Sequence, residues 1–263
     1  MNIIWIGGDH PRHLYYANTI NKKYPLSAAI IQKRESILLQ PPSGVDENDK
    51  KNFTRHFENR EKSELLYFGN QELPDCKKLY LERKLLNSEQ TAEFIKNSKP
   101  DLVLLYGCDL IKEPLYSILP RNTINLHGGL SPKYKGTATL FWPFYFMEPN
   151  YAGSTFHYIV SEPDAGGIIH QSLPSLERND GIHDVACKTI LSSANDALKL
   201  IKIFDDMKTW ITYKQRGGRN FLSSDFRPEH LRVIYDLFND DMVKYYLDGK
   251  LKVKSPNIIR QFN

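Results

Sequence analysis

Residues 124–171 read INLHGGLSPKYKGTATLFWPFYFMEPNYAGSTFHYIVSEPDAGGIIHQ. An apolar run ends in Asn125-Leu126-His127, and a Gly-rich turn follows at once. Further on, Asp164-Ala165-Gly166-Gly167-Ile168 makes a second turn that leads into another apolar run. A carboxamide, an imidazole and a carboxylate therefore sit on loops beside strand ends. These groups are suited to polarising a carbonyl, moving a proton and orienting the group that moves it. Taken singly, each is also an ordinary turn: a satisfied histidine in one case, a turn aspartate in the other.

Working outward from this stretch gives the fold. Upstream, Asp101 to Gly107 (DLVLLYG) is the strongest buried-strand signal in the chain. Cys108 to Leu119 reads as a loop with a short helix, and Thr123 to His127 as the next strand, with the site at its carboxyl end. Downstream, Gly136 to Glu148 reads as a helix whose Trp142, Phe144, Tyr145 and Phe146 belong to the core. Ser154 to Val160 alternates as a strand does, and Ile168 to Leu173 is its hairpin partner across the Asp164 loop. Asp184 to Met207 is a long amphipathic helix.

At the other end, Asn2 to Gly7 is a buried strand closed by glycines, and Leu14 to Ile20 has helical spacing. Strand, glycine turn and helix open a doubly wound unit. The intervening Gly8-Asp9-His10-Pro11-Arg12 lacks the GxGxxG pattern, which argues against a dinucleotide. It reads either as a plain turn or as a loop for a substrate phosphate or sugar, since N–H groups at a helix start favour anions. Ser27–Gln32 and Lys78–Leu81 supply further strands, and Ser88 caps a helix over Glu89–Ser98. Residues 40–66 form a charged excursion whose alternating signs read as a solvated helix near 49–66. Past Met207 the texture changes to a basic glycine turn, a helix through Leu231, Val233, Ile234 and Leu237, and a short basic strand-like run. The expected class is α/β, a doubly wound and mainly parallel sheet. Residues 1–207 form the catalytic domain and residues 208–263 a short α+β C-terminal extension.

Composition narrows the classes of function. The hydrophobic content of 41% over 263 residues supports a sizeable core. A net charge of +4 is too mild for a nucleic-acid stripe but suits an anionic small molecule. Cys76, Cys108 and Cys187 are far apart, with no metal-binding spacing, as for thiols in a reducing cytoplasm. No apolar run approaches the roughly 20 residues of a membrane span, and the N-terminus lacks a signal-peptide pattern. The expectation is a soluble cytoplasmic protein without a metal.

The order Asn125-X-His127-Gly-Gly-Leu-Ser-Pro-Lys-Tyr-Lys-Gly136, followed by Asp164-X-Gly166-X-Ile168, resembles the folate-dependent formyltransferases. That family includes glycinamide ribonucleotide transformylase, methionyl-tRNA formyltransferase and the sugar-nucleotide N-formyltransferases. The resemblance covers about residues 75–200, with weaker support back to Met1. It implies a Rossmann-like core, 10-formyltetrahydrofolate as co-substrate, and Asn125, His127 and Asp164 as the catalytic trio. It also implies a pterin pocket from Cys108, Leu110, Ile111 and Lys112 and from Ile159, Val160 and Pro163. Gly8, Asp9, His10 and Arg12 would then contact the acceptor. The sequence departs from the family pattern at Gly128-Gly129, where several members have Pro-Ser or Gly-Ser, and in the excursion at 40–66. The tail is too short for the extra β-barrel domain that methionyl-tRNA formyltransferase uses on tRNA. The resemblance is therefore nearest to the sugar-nucleotide N-formyltransferases of surface-glycan synthesis. It implies small-molecule partners, no nucleic acid, no membrane and a possible homodimer. A formyl hydrolase with the same trio, formylation of another amine or of methionyl-tRNA, and a non-catalytic binding module are the alternatives.

Overall fold

The computed structural model describes residues 1–262. The chain runs β1 (Ile3–Gly8), α1 (Pro11–Lys23), β2 (Ala28–Gln32), α2 (Glu47–Phe68), β3 (Lys77–Leu81), α3 (Glu89–Ser98), β4 (Leu102–Tyr106), α4 (Leu115–Ile118) and β5 (Thr123–His127). Then come β6 (Tyr134–Gly136), α5 (Trp142–Tyr145), β7 (Ser154–Tyr158), β8 (Ile168–Ser172), α6 (Ile182–Met207), β9 (Arg219–Phe221) and α7 (Met242–Leu247). Seven strands form one sheet in the order β3-β2-β1-β4-β5-β7-β8. The first five are parallel, and β7 and β8 close the sheet as an antiparallel hairpin. The expected α/β fold is thus observed.

Successive strand residues point to opposite faces, and both faces of this sheet are covered. Trp5, Leu104 and Tyr106 pack on one face against Leu14, Ala17 and Ile20 of α1 and Ile190, Leu200 and Ile201 of α6. Ile4, Ile6, Val103 and Leu105 pack on the other face against Ile95 of α3 and Leu115 of α4. Double burial is why β1 and β4 read as continuous apolar runs rather than alternating ones. Truncating one of these side chains to alanine should cost about 2–5 kcal/mol. Ser88 caps α3 as its sequence suggests, its hydroxyl accepting from the Thr91 N–H.

Chain direction in the order reverses between β1 and β4, and that is where such sheets open a crevice at the carboxyl ends of their strands. Gly8, Tyr106 and His127 end their strands on that side.

A third core joins three distant segments. Phe53 and Phe57 of α2, Trp142 and Phe144 of α5, and Phe221, Leu231, Ile234 and Phe238 bury one another. Four expectations are corrected here. Gly136–Glu148 is not one helix: Gly136 and Ala138 have positive φ, and Tyr134–Gly136 pairs in parallel with Arg219–Phe221. Only the single turn Trp142–Tyr145 is helical, with Pro143 at its start. The helix expected through Leu231–Leu237 is a 3-10 turn followed by a π-type turn over Val233–Leu237, and the basic run after Gly249 forms no strand. Finally, the helix in the excursion is not simply wet. Phe53, Phe57 and Phe68 are buried, and Glu64 is 1% exposed between Arg12 and Arg60. No helix among the described residues is long and apolar enough to cross a membrane.

Candidate active site

Strand pairing assembles the site. Asn125 and His127 are two apart on β5 and so share a face. Across the hairpin, Asn125 lies opposite His157 and His127 opposite Thr155. A register slip between Phe156 and His157 marks a bulge, a device that re-aims a side chain. Asn125 Nδ2 donates to His157 Nε2 at 3.2 Å, and His157 Nδ1 donates to the Tyr158 carbonyl at 2.9 Å. The carbonyl accepts only, so the His157 proton sits on Nδ1 and Nε2 is free to accept from Asn125.

Asp164 reaches in from the loop after β7. Its Oδ2 lies 3.3 Å from His127 Nδ1 and accepts from the Gly136 N–H at 3.0 Å. Its Oδ1 lies 3.4 Å from His157 Nε2. One carboxylate therefore faces two imidazoles. Asp164 has φ of 51°, a left-handed conformation that is uncommon for a residue with a side chain. Two neighbours hold the loop there. A Cβ at Gly166 would lie 1.7 Å from the Tyr158 carbonyl oxygen, so only glycine lets the backbone pass that closely. Gln215 Nε2 donates to the carbonyls of Asp164 and Gly166 at 2.8 and 2.7 Å. Gln215 belongs to the segment whose Tyr213 bridges to Ile168 at the edge of β8.

His127 Nε2 donates to the Tyr134 carbonyl at 2.9 Å, which leaves Nδ1, facing Asp164, as the nitrogen that gains and loses a proton. Burial lowers the His127 pKa, while the Asp164 carboxylate pulls it back up. Burial alone would raise Asp164, but His127, His157 and the Gly136 N–H together hold it well below the usual carboxylate range. The ionised carboxylate and a neutral, proton-accepting imidazole therefore coexist near neutral pH.

The trio lines a cavity of about 750 Å³. Cys108, Leu110 and Ile111 line it from the loop after β4, and Ile159, Val160 and Pro163 from the Asp164 loop. Lys112 is not on this wall; its N–H donates to Asn87 instead. Of the four acceptor residues suggested at the β1 end, His10 reaches this cavity, with Nε2 on the Glu35 carbonyl. Asp9 is occupied by the Arg34 N–H and the Tyr80 hydroxyl. Gly8 packs against His13, leaving no room for a side chain. Arg12 is paired with Glu64 and lines a smaller adjoining chamber. His157 and Gln215 were not legible as site residues; the hairpin register that puts His157 opposite Asn125 was the available signal for the first. No group of histidine, cysteine and carboxylate side chains suited to a metal occurs among the described residues.

Comparison with known proteins identifies the family of the chain. A family model described as formyl transferase matches residues 45–194, more than half of the chain. Among solved structures, a phosphoribosylglycinamide formyltransferase from Anaplasma phagocytophilum is 19% identical, with a TM-score of 0.57 over 84% of this chain and 96% of that one. A 4-N formyltransferase from Francisella tularensis is 18% identical, with a TM-score of 0.55 over 86% of this chain and 78% of that one. The formyltransferase PseJ from Anoxybacillus kamchatkensis is 16% identical, with a TM-score of 0.50 over 93% and 97%. That structure is a complex with UDP-4,6-dideoxy-4-formamido-L-AltNAc and tetrahydrofolate.

Proposed function

Because the chain belongs to the formyl transferase family, we propose that it moves the formyl group of 10-formyltetrahydrofolate onto the amino group of an amino-deoxysugar nucleotide. The observation that carries this reading is the convergence of Asn125, His127 and Asp164 on one wall of a cavity whose next walls are apolar loop residues, Leu110, Ile111 and Ile159. The side chains of those loops suit the faces of a flat ring, and we assign them to the pterin. The sugar-nucleotide and tetrahydrofolate bound to PseJ support the choice of both substrates. Catalysis is assigned to residues 1–207, with 208–263 as an extension, and the enzyme works in the cytoplasm.

The chemistry follows from the placement of each group. The neutral acceptor nitrogen attacks the formyl carbon, a new C–N bond forms, and the carbonyl electrons move to oxygen. The second Nδ2 hydrogen of Asn125, whose amide is fixed by His157, stabilises that oxygen as it becomes negative. His127 Nδ1 takes the proton from the attacking nitrogen. The imidazolium so formed is bonded on both sides, to the Tyr134 carbonyl and to Asp164. The bond from carbon to folate N10 then breaks, and the proton passes to N10, releasing tetrahydrofolate and the formamide. No covalent enzyme intermediate is needed, because the amine is the nucleophile.

The test is turnover of 10-formyltetrahydrofolate with and without a panel of amino-sugar nucleotides and other amines. Amine-dependent release of tetrahydrofolate with a formamide product is the expected result. Amine-independent release would make the protein a formyl hydrolase, and no release with any amine would remove the catalytic reading.

A further inference from the structure

The loop after β4, residues 108–112, has no regular secondary structure, yet it supplies Cys108, Leu110 and Ile111 to the wall of the large cavity. Apolar burial alone does not fix it. Cys108 and Ile111 rest against the core on the α3 side, but Leu110 is 44% exposed and Asp109 only half-buried. What holds the loop is polar and comes from other segments. The first four residues of β2, Ala28 to Ile31, are apolar; the fifth, Gln32, is polar and 0% exposed. Its Oε1 accepts from the Asp109 N–H at 2.8 Å and from Arg34 Nη1 at 3.2 Å. Its Nε2 donates to the Asp109 carboxylate at 3.2 Å and to the Arg83 carbonyl at 2.9 Å. These partners use the whole donor and acceptor capacity of the amide. They also fix which way it points, because the Asp109 N–H can only donate and the Arg83 carbonyl can only accept.

Gln32 therefore grips Asp109 by backbone and side chain together. The Asp109 carboxylate is held further by Arg83 Nε and Nη2, at 2.6 and 3.0 Å, and by Arg34 Nη1 at 2.7 Å. A second clip acts further along the loop. Asn87, just before α3, donates through Nδ2 to the Leu110 carbonyl at 3.0 Å and accepts from the Lys112 N–H at 2.8 Å. The two amides thus take the Asp109 N–H, the Leu110 carbonyl and the Lys112 N–H of one short loop. Neither Gln32 nor Asn87 is on the cavity wall. Burying a polar side chain at a strand end is costly unless it is bonded, and here the bonds are spent on the loop that faces the cavity.

We infer that Gln32 and Asn87 are positioning residues for the folate co-substrate: they do not touch it, and they fix the loop on which its ring rests. The inference rests on the reading of that loop as part of the pterin pocket. Folate affinity then depends on the end of β2 and on the turn before α3, neither of which carries a member of the trio. The chemistry at position 32 also gives the effect a direction. Gln32→Glu keeps the size and the two accepting contacts, but it sets an oxygen against the Arg83 carbonyl and the Asp109 carboxylate. Gln32→Met keeps the size and removes all four bonds.

The experiment is calorimetric titration of the full-length protein with tetrahydrofolate, alongside thermal melts without ligand. The proteins are wild type, Gln32→Glu, Gln32→Met, Asn87→Ala and Leu200→Ala, the last a truncation in the core on the opposite face of the sheet. Both Gln32 variants should lose about tenfold in tetrahydrofolate affinity, the scale of one or two hydrogen bonds. Asn87→Ala should lose about threefold. Leu200→Ala should melt at a lower temperature yet bind as wild type does, because it weakens the fold without releasing the loop. Wild-type affinity in a folded Gln32 variant, or an equal loss in Leu200→Ala, would overturn the inference. If the Gln32 variants do not fold, the half-buried Asn87 decides: a loss confined to Asn87→Ala and absent from Leu200→Ala supports the inference, and wild-type affinity in Asn87→Ala overturns it. Failure of wild type to bind tetrahydrofolate at all would instead overturn the formyl-transfer reading.

Discussion

Two groups of histidines flank the same crevice, and their surroundings are opposite. On the β5–β7 side, His127 and His157 share a carboxylate, Asp164. On the side of α1, α2 and α6, burial and the nearby guanidinium groups of Arg12 and Arg60 outweigh the pull of Glu64 on His13 and His183, and His56 has Arg60 for a neighbour. The first setting keeps a proton acceptor ready to be charged and stabilises it once charged. The second keeps imidazoles neutral. Residue type is the same on both sides; the charge that faces it sets whether an imidazole can carry a proton near neutral pH.

The sharpest way to break this contrast is to remove the carboxylate. Asp164→Asn keeps the shape and the Gly136 contact but removes the charge that supports the imidazolium. We expect kcat to fall about 10³-fold, roughly 4 kcal/mol of transition-state stabilisation, with a smaller change in folate affinity. An unchanged kcat would give Asp164 a structural role only. On the other side, Glu64→Gln leaves two guanidinium groups without their shared counter-charge. The expected loss in chemical denaturation is about 3 kcal/mol, the low end for a buried ion pair, because Arg12 and Arg60 retain 18% and 23% side-chain exposure. A change below about 1 kcal/mol, the range of surface pairs, would show that the cluster is solvated.

pH sharpens the comparison further. The folded pKa values of His13, His56 and His183 lie below that of an unfolded histidine, about 6.5. Their contribution is therefore present above that value and lost as pH falls, because the unfolded chain takes up protons that the native chamber refuses. Between pH 7 and 6 the three together should lower stability by about 2 kcal/mol. Parallel melts at the two pH values would read this, and His56→Phe should remove about a third of the difference. Equal stabilities would mean that these histidines take up protons as readily in the native protein as in the unfolded chain. The smallest effect concerns the loop clamp. Gln215→Ala should reduce kcat about tenfold, roughly 1.4 kcal/mol, by loosening the carbonyls of Asp164 and Gly166 while leaving acceptor KM near its original value. A changed KM with intact kcat would place Gln215 in substrate binding instead.

Much of the Asp164 side of the candidate site was legible in the sequence because its signals are local. Asn125 and His127 end an apolar run, and Asp164 sits before glycines that a close backbone approach requires. The rest depends on pairings far apart in the chain. Glu64 looked like one charge on a wet helix, but its partner Arg12 is 52 residues away. Gly136–Glu148 looked like one helix, but Gly136 pairs with Phe221 far along the chain and only Trp142–Tyr145 is helical. Gln215 sits in a segment with no periodic pattern, and only the fold brings it under the Asp164 loop. The Gly8–Arg12 loop shows the converse: its anion-binding pattern was readable, but Asp9 and Arg12 are taken up by partners that local reading does not supply.

The most direct measurement is the rate of formyl transfer at saturating 10-formyltetrahydrofolate and acceptor amine in His127→Asn compared with wild type. With Nδ1 gone as the proton acceptor, the account predicts a fall in kcat of at least 10²-fold, with tetrahydrofolate binding and melting temperature retained. A variant that turns over at the wild-type rate would contradict it.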